Sequence, residues 1–132
     1  MREILFRGRL LDTNKYNYVG WEYGSLVSFP QEDYYYIKTE DESEYLVDKE
    51  TIGQFTGLSD KNGTKIFEGD VVKYEYAPDE YIIGVMEYTC CGFHISTNAD
   101  IYDFDTYYSL EVIGNIHDNP EFIRGGRWVI KN

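Results

Sequence analysis

Basic residues and long apolar runs are what this 132-residue sequence lacks most clearly. No Lys or Arg occurs between Tyr74 and Ile123, a stretch with ten acidic residues, and the whole chain has a net charge of −12. Such an acidic surface repels phosphate backbones and anionic lipid headgroups, so we expect no direct binding of nucleic acid or membrane. No apolar run approaches the ~20 residues of a membrane span, and the N-terminus lacks a secretory signal. We expect a soluble cytoplasmic protein.

Cysteine and histidine are also scarce. Cys90 and Cys91 are adjacent, and neighbours on a strand point to opposite faces, so the pair cannot easily chelate one ion. His94 and His117 lie in no known nucleophile motif, and no glycine-rich phosphate-binding motif is present. The sequence therefore predicts no metal, no cofactor, no catalytic residue and no enzymatic activity. A small hydrolase or redox protein that uses Cys90, Cys91 or His94 is an alternative.

The residues that are abundant favour a mainly β fold. Aromatic and β-branched residues are frequent, alanine is rare, and no window of twelve residues shows a helical apolar stripe. Gly, Asn, Asp and Pro recur at short intervals, as they do between short strands. Regular short strands joined by tight turns are typical of a barrel or roll. The predicted strands span residues 3–11, 18–29, 34–39, 45–47, 51–56, 70–76, 80–88, 92–97 and 108–116.

The sequence also predicts a tight turn, a short helical turn and a domain boundary. Asn62-Gly63 lies in a turn over residues 59–64, where the pair can adopt positive φ angles. Asn119-Pro120-Glu121 resembles a helix start, so we predict at most one or two short helical turns. We expect one β domain over residues 1–123, with residues 124–132 as a C-terminal tail or an extra edge strand.

Fourteen tyrosines are the most unusual feature of the composition. Several lie two residues apart, which puts both rings of a pair on one face of a strand. Such rings either cover half-buried sheet faces or form a surface for protein contact, because Tyr is enriched at interfaces. A base-stacking platform is a weaker interpretation, since it normally needs a positively charged groove. The predicted interaction surface consists of Tyr16, Tyr18, Trp21, Tyr34, Tyr36, Tyr74 and Tyr76.

Carboxylates also occur at alternate positions, at Glu40, Glu42 and Glu44 and again at Asp103 and Asp105. In an extended strand these side chains would project from one face about 6.7 Å apart. That pattern could imitate a polyanion, and a solvated loop is the other interpretation. An acidic nucleic-acid mimic that binds a host protein is therefore an alternative function.

Four segments carry a resemblance to a known family. Residues 50–72 read ETIGQFTGLSDKNGTKIFEGDVV and residues 112–121 read VIGNIHDNPE, preceded by Phe6-Arg7-Gly8 and Trp21-x-Tyr23-Gly24. Together, over about residues 1–123, they resemble the YopX family of phage and prophage proteins. The resemblance implies a β-rich fold with an SH3-like barrel or roll, with extra strands or hairpins, in the cytoplasm of a bacterial host cell. It implies no activity, and it carries over no catalytic residue.

The shared motif is interpreted as structural. Its glycines suit turns, bulges and close backbone approach, and its aspartates can accept hydrogen bonds from turn backbones. The motif residues are Gly53, Gln54, Thr56, Gly57, Leu58, Asp60, Asn62, Gly63, Glu68, Gly69, Asp70, Gly114, Asn115 and Pro120.

Taken together, these observations predict a phage or prophage protein without enzymatic activity that works through protein contact. The partner would be a host or phage protein. Self-association into a homo-oligomer is one form of such contact, because small β domains often have exposed strand edges.

Overall fold

A computed structural model describes residues 3–11, 20–89, 92–97, 101–104, 109–124 and 127–128, and this part of the chain is mainly β. Short 3₁₀ turns over Lys49–Thr51 and Pro120–Phe122 are its helical elements, so the predicted turn at Pro120 is confirmed. The strands are β1 Phe6–Arg9, β2 Trp21–Phe29, β3 Tyr34–Lys38, β4 Glu44–Leu46, β5 Gly53–Ser59, β6 Lys65–Phe67, β7 Asp70–Ala77, β8 Glu80–Thr89, β9 Gly92–Ser96, β10 Ile101–Tyr102, β11 Ser109–Asn115, β12 Ile123–Arg124 and β13 Arg127–Trp128.

The strands form antiparallel sheets that do not close into a barrel. The first sheet has the order β4-β3-β2-β1-β5-β6, the second has the order β10-β9-β8-β7-β11, and β12 pairs with β13. A closed barrel needs its first and last strands to pair along their length. In the described residues no pairing joins β4 to β6, the two end strands of the first sheet, and an isolated bridge between Leu10 and Val47 links the chain just beyond β1 to the chain just beyond β4. The sequence predicted a barrel or roll, and of these a closed barrel is wrong, whereas the SH3-like roll stays a prediction.

The chain divides into two compact units, Met1–Gly57 and Leu58–Asn132. Strand β5 passes through the boundary between them. The prediction of one domain over residues 1–123 stays a prediction, and so does the assignment of 124–132 as a tail or edge strand.

In the first unit, β2 changes its partner at Gly24. Residues Trp21–Gly24 pair with β1, and residues Ser25–Phe29 pair with β3. A Cβ atom at Gly24 would overlap the carbonyl oxygen of Lys38, so only glycine allows this approach. The bent strand encloses a small core around Ile37 and Val47, both of which are fully buried or nearly so.

The 3₁₀ turn ties the end of β1 to the start of β5. The Asp48 side chain accepts a hydrogen bond from the backbone N–H of Glu50 at 3.0 Å, which caps the turn. The Thr51 hydroxyl donates to the Asp48 carbonyl at 2.6 Å and accepts from the Arg9 N–H at 2.9 Å. Gly53 then pairs with Arg7 in the first sheet.

In the second unit, β8 changes its partner in the same way. Residues 80–85 pair with β7 and residues 85–89 pair with β9, and a Cβ atom at Gly84 would lie 2.5 Å from the Ser96 carbonyl oxygen. The strand order β10-β9-β8-β7-β11 matches the order β4-β3-β2-β1-β5, although the sequence shows no internal repeat. The buried core of this unit contains Ile66, Val72, Tyr74, Met86, Ile95 and Leu110.

No helix in the described part of the chain is long and apolar enough to cross a membrane.

Candidate functional site

Two exposed aromatic rings of the first unit lie together on the β2–β3 hairpin, and a third, Tyr23, lies on the part of β2 that pairs with β1. Phe29 is paired with Tyr34, and Val27 is paired with Tyr36, so these four side chains share one face of the hairpin. Ile37 points to the opposite face and is fully buried. Phe29 and Tyr34 are 47% and 49% exposed, and the rings of Phe29 and Tyr36 meet edge to face with centroids 6.0 Å apart. We call Val27, Phe29, Tyr34 and Tyr36 the hairpin face.

A tight turn over residues 30–33 closes the hairpin beside these rings. The N–H of Glu32 donates to the Phe29 carbonyl at 3.0 Å, and that of Asp33 donates to the Pro30 carbonyl at 3.3 Å. Asp33 has a φ of 60°, a conformation that aspartate tolerates better than most residues. Its carboxylate accepts two hydrogen bonds from Lys49, at 3.0 and 3.1 Å, and this contact raises the pKa of Lys49.

A second acidic turn closes the other end of β3. The N–H of Thr39 donates to the Ser43 carbonyl at 2.8 Å, and the N–H of Glu42 donates to the Thr39 carbonyl at 2.9 Å. The Asp41 carboxylate accepts hydrogen bonds from the Thr39 hydroxyl and the Ser43 N–H, and these bonds hold the pKa of Asp41 below its ordinary value. Asp41 is therefore ionised at neutral pH.

This turn decides between the two interpretations of the alternate carboxylates at residues 40–44. Glu42 has a φ of 68°, so Glu40 and Glu42 lie in a turn and only Glu44 lies in a strand. These residues therefore form the loop that was one interpretation, and the extended row that a polyanion mimic would need is not formed there. Of the second set of alternate carboxylates, Asp103 is largely exposed, and Asp105 lies outside the residues that the structure describes.

The predicted tyrosine surface is divided between the two units. Tyr34 and Tyr36 belong to the hairpin face, while Tyr74 and Tyr76 lie on β7 of the second unit. Tyr74 is only 7% exposed and belongs to the core, so its ring is not available for contact. Tyr76 lies at a bulge, is 44% exposed and has its ring centroid 6.4 Å from that of Tyr74.

The other members of the predicted surface lie elsewhere. Trp21 is on β2, where the guanidinium carbon of Arg7 lies 4.7 Å from its ring centroid. Tyr16 and Tyr18 lie outside the described residues. Sequence reasoning missed Phe29, whose place in the hairpin face depends on its cross-strand pairing with Tyr34.

The family motif is organised around the buried carboxylate of Asp60. One oxygen accepts the N–H groups of Asn62 and Thr64, both at 2.9 Å, and the other accepts the N–H of Val112 on β11, also at 2.9 Å. Burial alone would raise the pKa of Asp60, but these three donors and nearby Lys61 hold it below its ordinary value. Asp60 therefore joins the β5–β6 turn to β11.

Most other motif residues form turns or paired backbone. Gly57, Gly63 and Gly69 have φ angles of 89°, 83° and 92°, which favour glycine. The buried Asp70 carboxylate accepts the Phe67 N–H at 2.7 Å. Gly53 and Gln54 pair with β1, Thr56 is buried, and Leu58 packs on the core of the second unit. Asn62 and Glu68 lie in turns. Gly114 lies beside a bulge of β11, and Pro120 begins a 3₁₀ turn.

Asn115 organises the turn that follows β11. Its side-chain oxygen accepts the N–H groups of His117 at 3.0 Å and Asp118 at 2.8 Å. Its own N–H donates to the side chain of Asn119 at 3.1 Å. These bonds support the structural interpretation of the motif.

His94 lies beside a carboxylate. Its Nε2 lies 2.9 Å from Asp103, its Nδ1 lies 3.2 Å from the Gly92 carbonyl, and Glu87 is its cross-strand neighbour. The contact with Asp103, which follows β10 directly, links β10 to β9. Cys90 and Cys91 lie outside the described residues, and within those residues no three His, Cys, Asp or Glu side chains are grouped to hold a metal.

These observations define an all-β protein of two antiparallel sheets, with an aromatic hairpin face between two acidic turns. The family model described as YopX protein matches residues 6–124, nearly the whole chain, and the chain therefore belongs to the YopX family. No curated protein matches the sequence significantly. Family membership indicates a phage-type protein and assigns no activity.

Proposed function

We propose that the SH3-like roll implied by the family resemblance corresponds to the five-strand arrangement found in each unit. Three features support this assignment: the shared strand order, the second strand bent at Gly24 or Gly84, and, in the first unit, the 3₁₀ turn before β5. An experimental structure of the whole chain tests it. A different strand order would contradict it.

We further propose that the chain is a non-enzymatic protein-interaction module whose contact surface is the hairpin face. The observation that carries this proposal is the pair of half-exposed rings, Phe29 and Tyr34, fixed side by side on two paired strands. Rigid aromatic rings lose little conformational entropy on binding and contribute much of the energy at protein interfaces. The partner is a host or phage protein in the bacterial cytoplasm.

At two of the sheet edges, β4 and β11, existing hydrogen bonds favour contact through a face over sheet extension between copies. Beside β4, the carbonyl of Leu46 accepts the N–H of Leu11 at 3.2 Å. Beside β11, the N–H of Val112 is bound by Asp60, and the carbonyl of Leu110 accepts the N–H of Lys61 at 3.0 Å. Because these groups are satisfied within the chain, pairing of a second copy at either position would first break existing hydrogen bonds.

A comparison of variants tests the interaction proposal. The double substitution Phe29→Ser with Tyr34→Ser removes the exposed rings, and Tyr76→Ser removes a ring of similar exposure from the second unit. We expect affinity capture from phage-infected or prophage-induced cells to recover a protein with wild type and Tyr76→Ser, and to lose it with the double variant. All three chains should show the same unfolding transition.

The alternatives give different results. A polyanion mimic would lose its partner at high salt and keep it in the double variant, because bulk charge would carry the binding. A redox or hydrolase function would depend on Cys90, Cys91 or His94 and would be unaffected by loss of the rings. Either result contradicts the hairpin face as the contact surface.

A further inference from the structure

We propose that the hairpin face binds an extended, positively charged protein segment, with Lys or Arg side chains in two groups about five residues apart. This inference rests on the proposed function and specifies the chemistry of the partner. It follows from the distribution of charge around the rings.

The hairpin lies in an acidic stretch of the first unit. Residues 20–57 contain nine Asp or Glu and two Lys, a net charge of −7, and the whole unit, residues 1–57, contains eleven Asp or Glu and six Lys or Arg, a net charge of −5. Five of the acids lie in the two turns that bound β3, at Glu32, Asp33, Glu40, Asp41 and Glu42. Because β3 has five residues, the two acidic turns lie roughly 16 Å apart, with the aromatic rings between them.

The lysines of this region leave most of that charge uncompensated. Lys49 is bonded to Asp33 at 3.0 Å, and Lys38 is the cross-strand neighbour of Glu44 on β4. One lysine therefore stands at each end of β3 beside one carboxylate. The turn at Thr39–Ser43 holds three further acids, Glu40, Asp41 and Glu42, and all three are exposed.

Exposed aromatic rings between acidic groups suit Lys and Arg. The faces of such rings attract cations, and the long apolar stems of Lys and Arg pack on aromatic surfaces while their charges reach nearby carboxylates. The protein already makes this contact internally, with the Lys73 ammonium 4.3 Å from the centroid of the Tyr81 ring. A nucleic acid or an anionic membrane would be repelled from the same surface.

Binding of synthetic peptides to the full chain, measured by isothermal titration calorimetry, tests the inference. The first peptide carries two arginines at each end of a five-residue alanine and serine centre. A second has all four arginines together, and a third has glutamate in place of arginine. We expect the spaced basic peptide to bind about tenfold more tightly than the contiguous one, and the acidic peptide not to bind.

Variants then locate the binding. Both Phe29→Ser with Tyr34→Ser and Glu40→Gln with Glu42→Gln should weaken binding of the spaced peptide about tenfold. The control, Asp79→Asn with Glu80→Gln, removes two exposed acids at the β7–β8 turn and should leave the affinity within twofold.

Two results would overturn the inference: equal binding of the spaced and contiguous peptides, or equal weakening by the control variant. Either would show only a general attraction of charge. If the rings are needed to capture the native partner but no basic peptide binds, the proposed function stands and this inference fails. If the rings are needed for neither, both fail.

Discussion

At the scale of single residues, Asp60 explains why the family motif is interpreted as structural. Its carboxylate binds three backbone N–H groups, two in its own turn and one on β11. An asparagine has one acceptor oxygen and one NH₂ group, so it would leave at least one donor unsatisfied.

We therefore expect Asp60→Asn to lower the free energy of unfolding by about 2 kcal/mol in urea denaturation. Asp79→Asn is the matched control, because Asp79 is exposed and its φ of 61° suits asparagine equally well. The control should stay within about 0.5 kcal/mol of wild type. A loss no larger for Asp60→Asn than for the control would contradict the role of this carboxylate.

The lowered pKa of Asp60 also predicts a dependence on pH. The folded pKa lies below the ordinary value of 3.8, so the ionised carboxylate stabilises the fold at pH values above that and loses this effect as pH falls through the folded pKa. The difference in unfolding free energy between wild type and Asp60→Asn should therefore be constant near neutral pH and shrink below about pH 4. A difference that grows on acidification would be the opposite of this expectation.

At the scale of elements, each unit has a long strand that pairs with two different strands and changes from one to the other at a glycine. We expect Gly24→Ala to destabilise the protein by roughly 3 kcal/mol, because the added methyl group overlaps the Lys38 carbonyl and must separate β2 from β3. Ser25→Ala, at the next and exposed position, should change the stability by less than about 0.5 kcal/mol. Thermal unfolding of both variants measures the difference, and a tolerated Gly24→Ala would show that the bend is not required.

The short strand β10 lies next to the contact between His94 and Asp103. Its residues pair with Ile95 and Ser96, and the contact between His94 and Asp103 follows directly after the strand. We expect His94→Ala to speed amide hydrogen exchange at Ile101 and Tyr102 without changing exchange in β11. Unchanged exchange in β10 would mean that strand pairing alone holds it.

The sequence predicted strands well and their arrangement less well, for physical reasons. β-Branched and aromatic runs between turn residues located nine of the strands, from β1 to β11. Strands β6 and β10 were not predicted, and two residues, as in β10, are too few to show an alternating pattern. The partner exchange at Gly24 and Gly84 depends on close contacts between distant residues, which local patterns do not encode, so the sequence predicted a barrel or roll and could not tell open sheets from a closed barrel.

For the candidate site, too, local sequence patterns predicted some features and tertiary packing decided the others. Alternation along β3 correctly placed Tyr34 and Tyr36 on one face, whereas Phe29 joined them only through the register of β2 with β3. Alternation could not tell that Tyr74 is buried, because burial depends on the core side chains that pack around it in the second unit. Spacing alone gives shared faces, and tertiary packing decides which of those faces is exposed.

At the scale of the whole molecule, acidic charge and an aromatic hairpin face are combined in one chain of net charge −12. Because like-charged surfaces repel, we expect this charge to oppose association between copies through the exposed rings. We expect the chain to be monomeric at low salt in analytical ultracentrifugation. A stable dimer at low salt would contradict this, and disruption of that dimer by Phe29→Ser with Tyr34→Ser would assign the hairpin face to self-association.

The central claim is that a partner protein contacts the chain at the hairpin face. The most direct measurement is photocrosslinking in living host cells, with a light-activated phenylalanine analogue placed at Tyr34 in one chain and at Tyr76 in another. The account predicts a discrete crosslinked protein from position 34 and none from position 76. Crosslinking from position 76 alone, or equally from both positions, would contradict it.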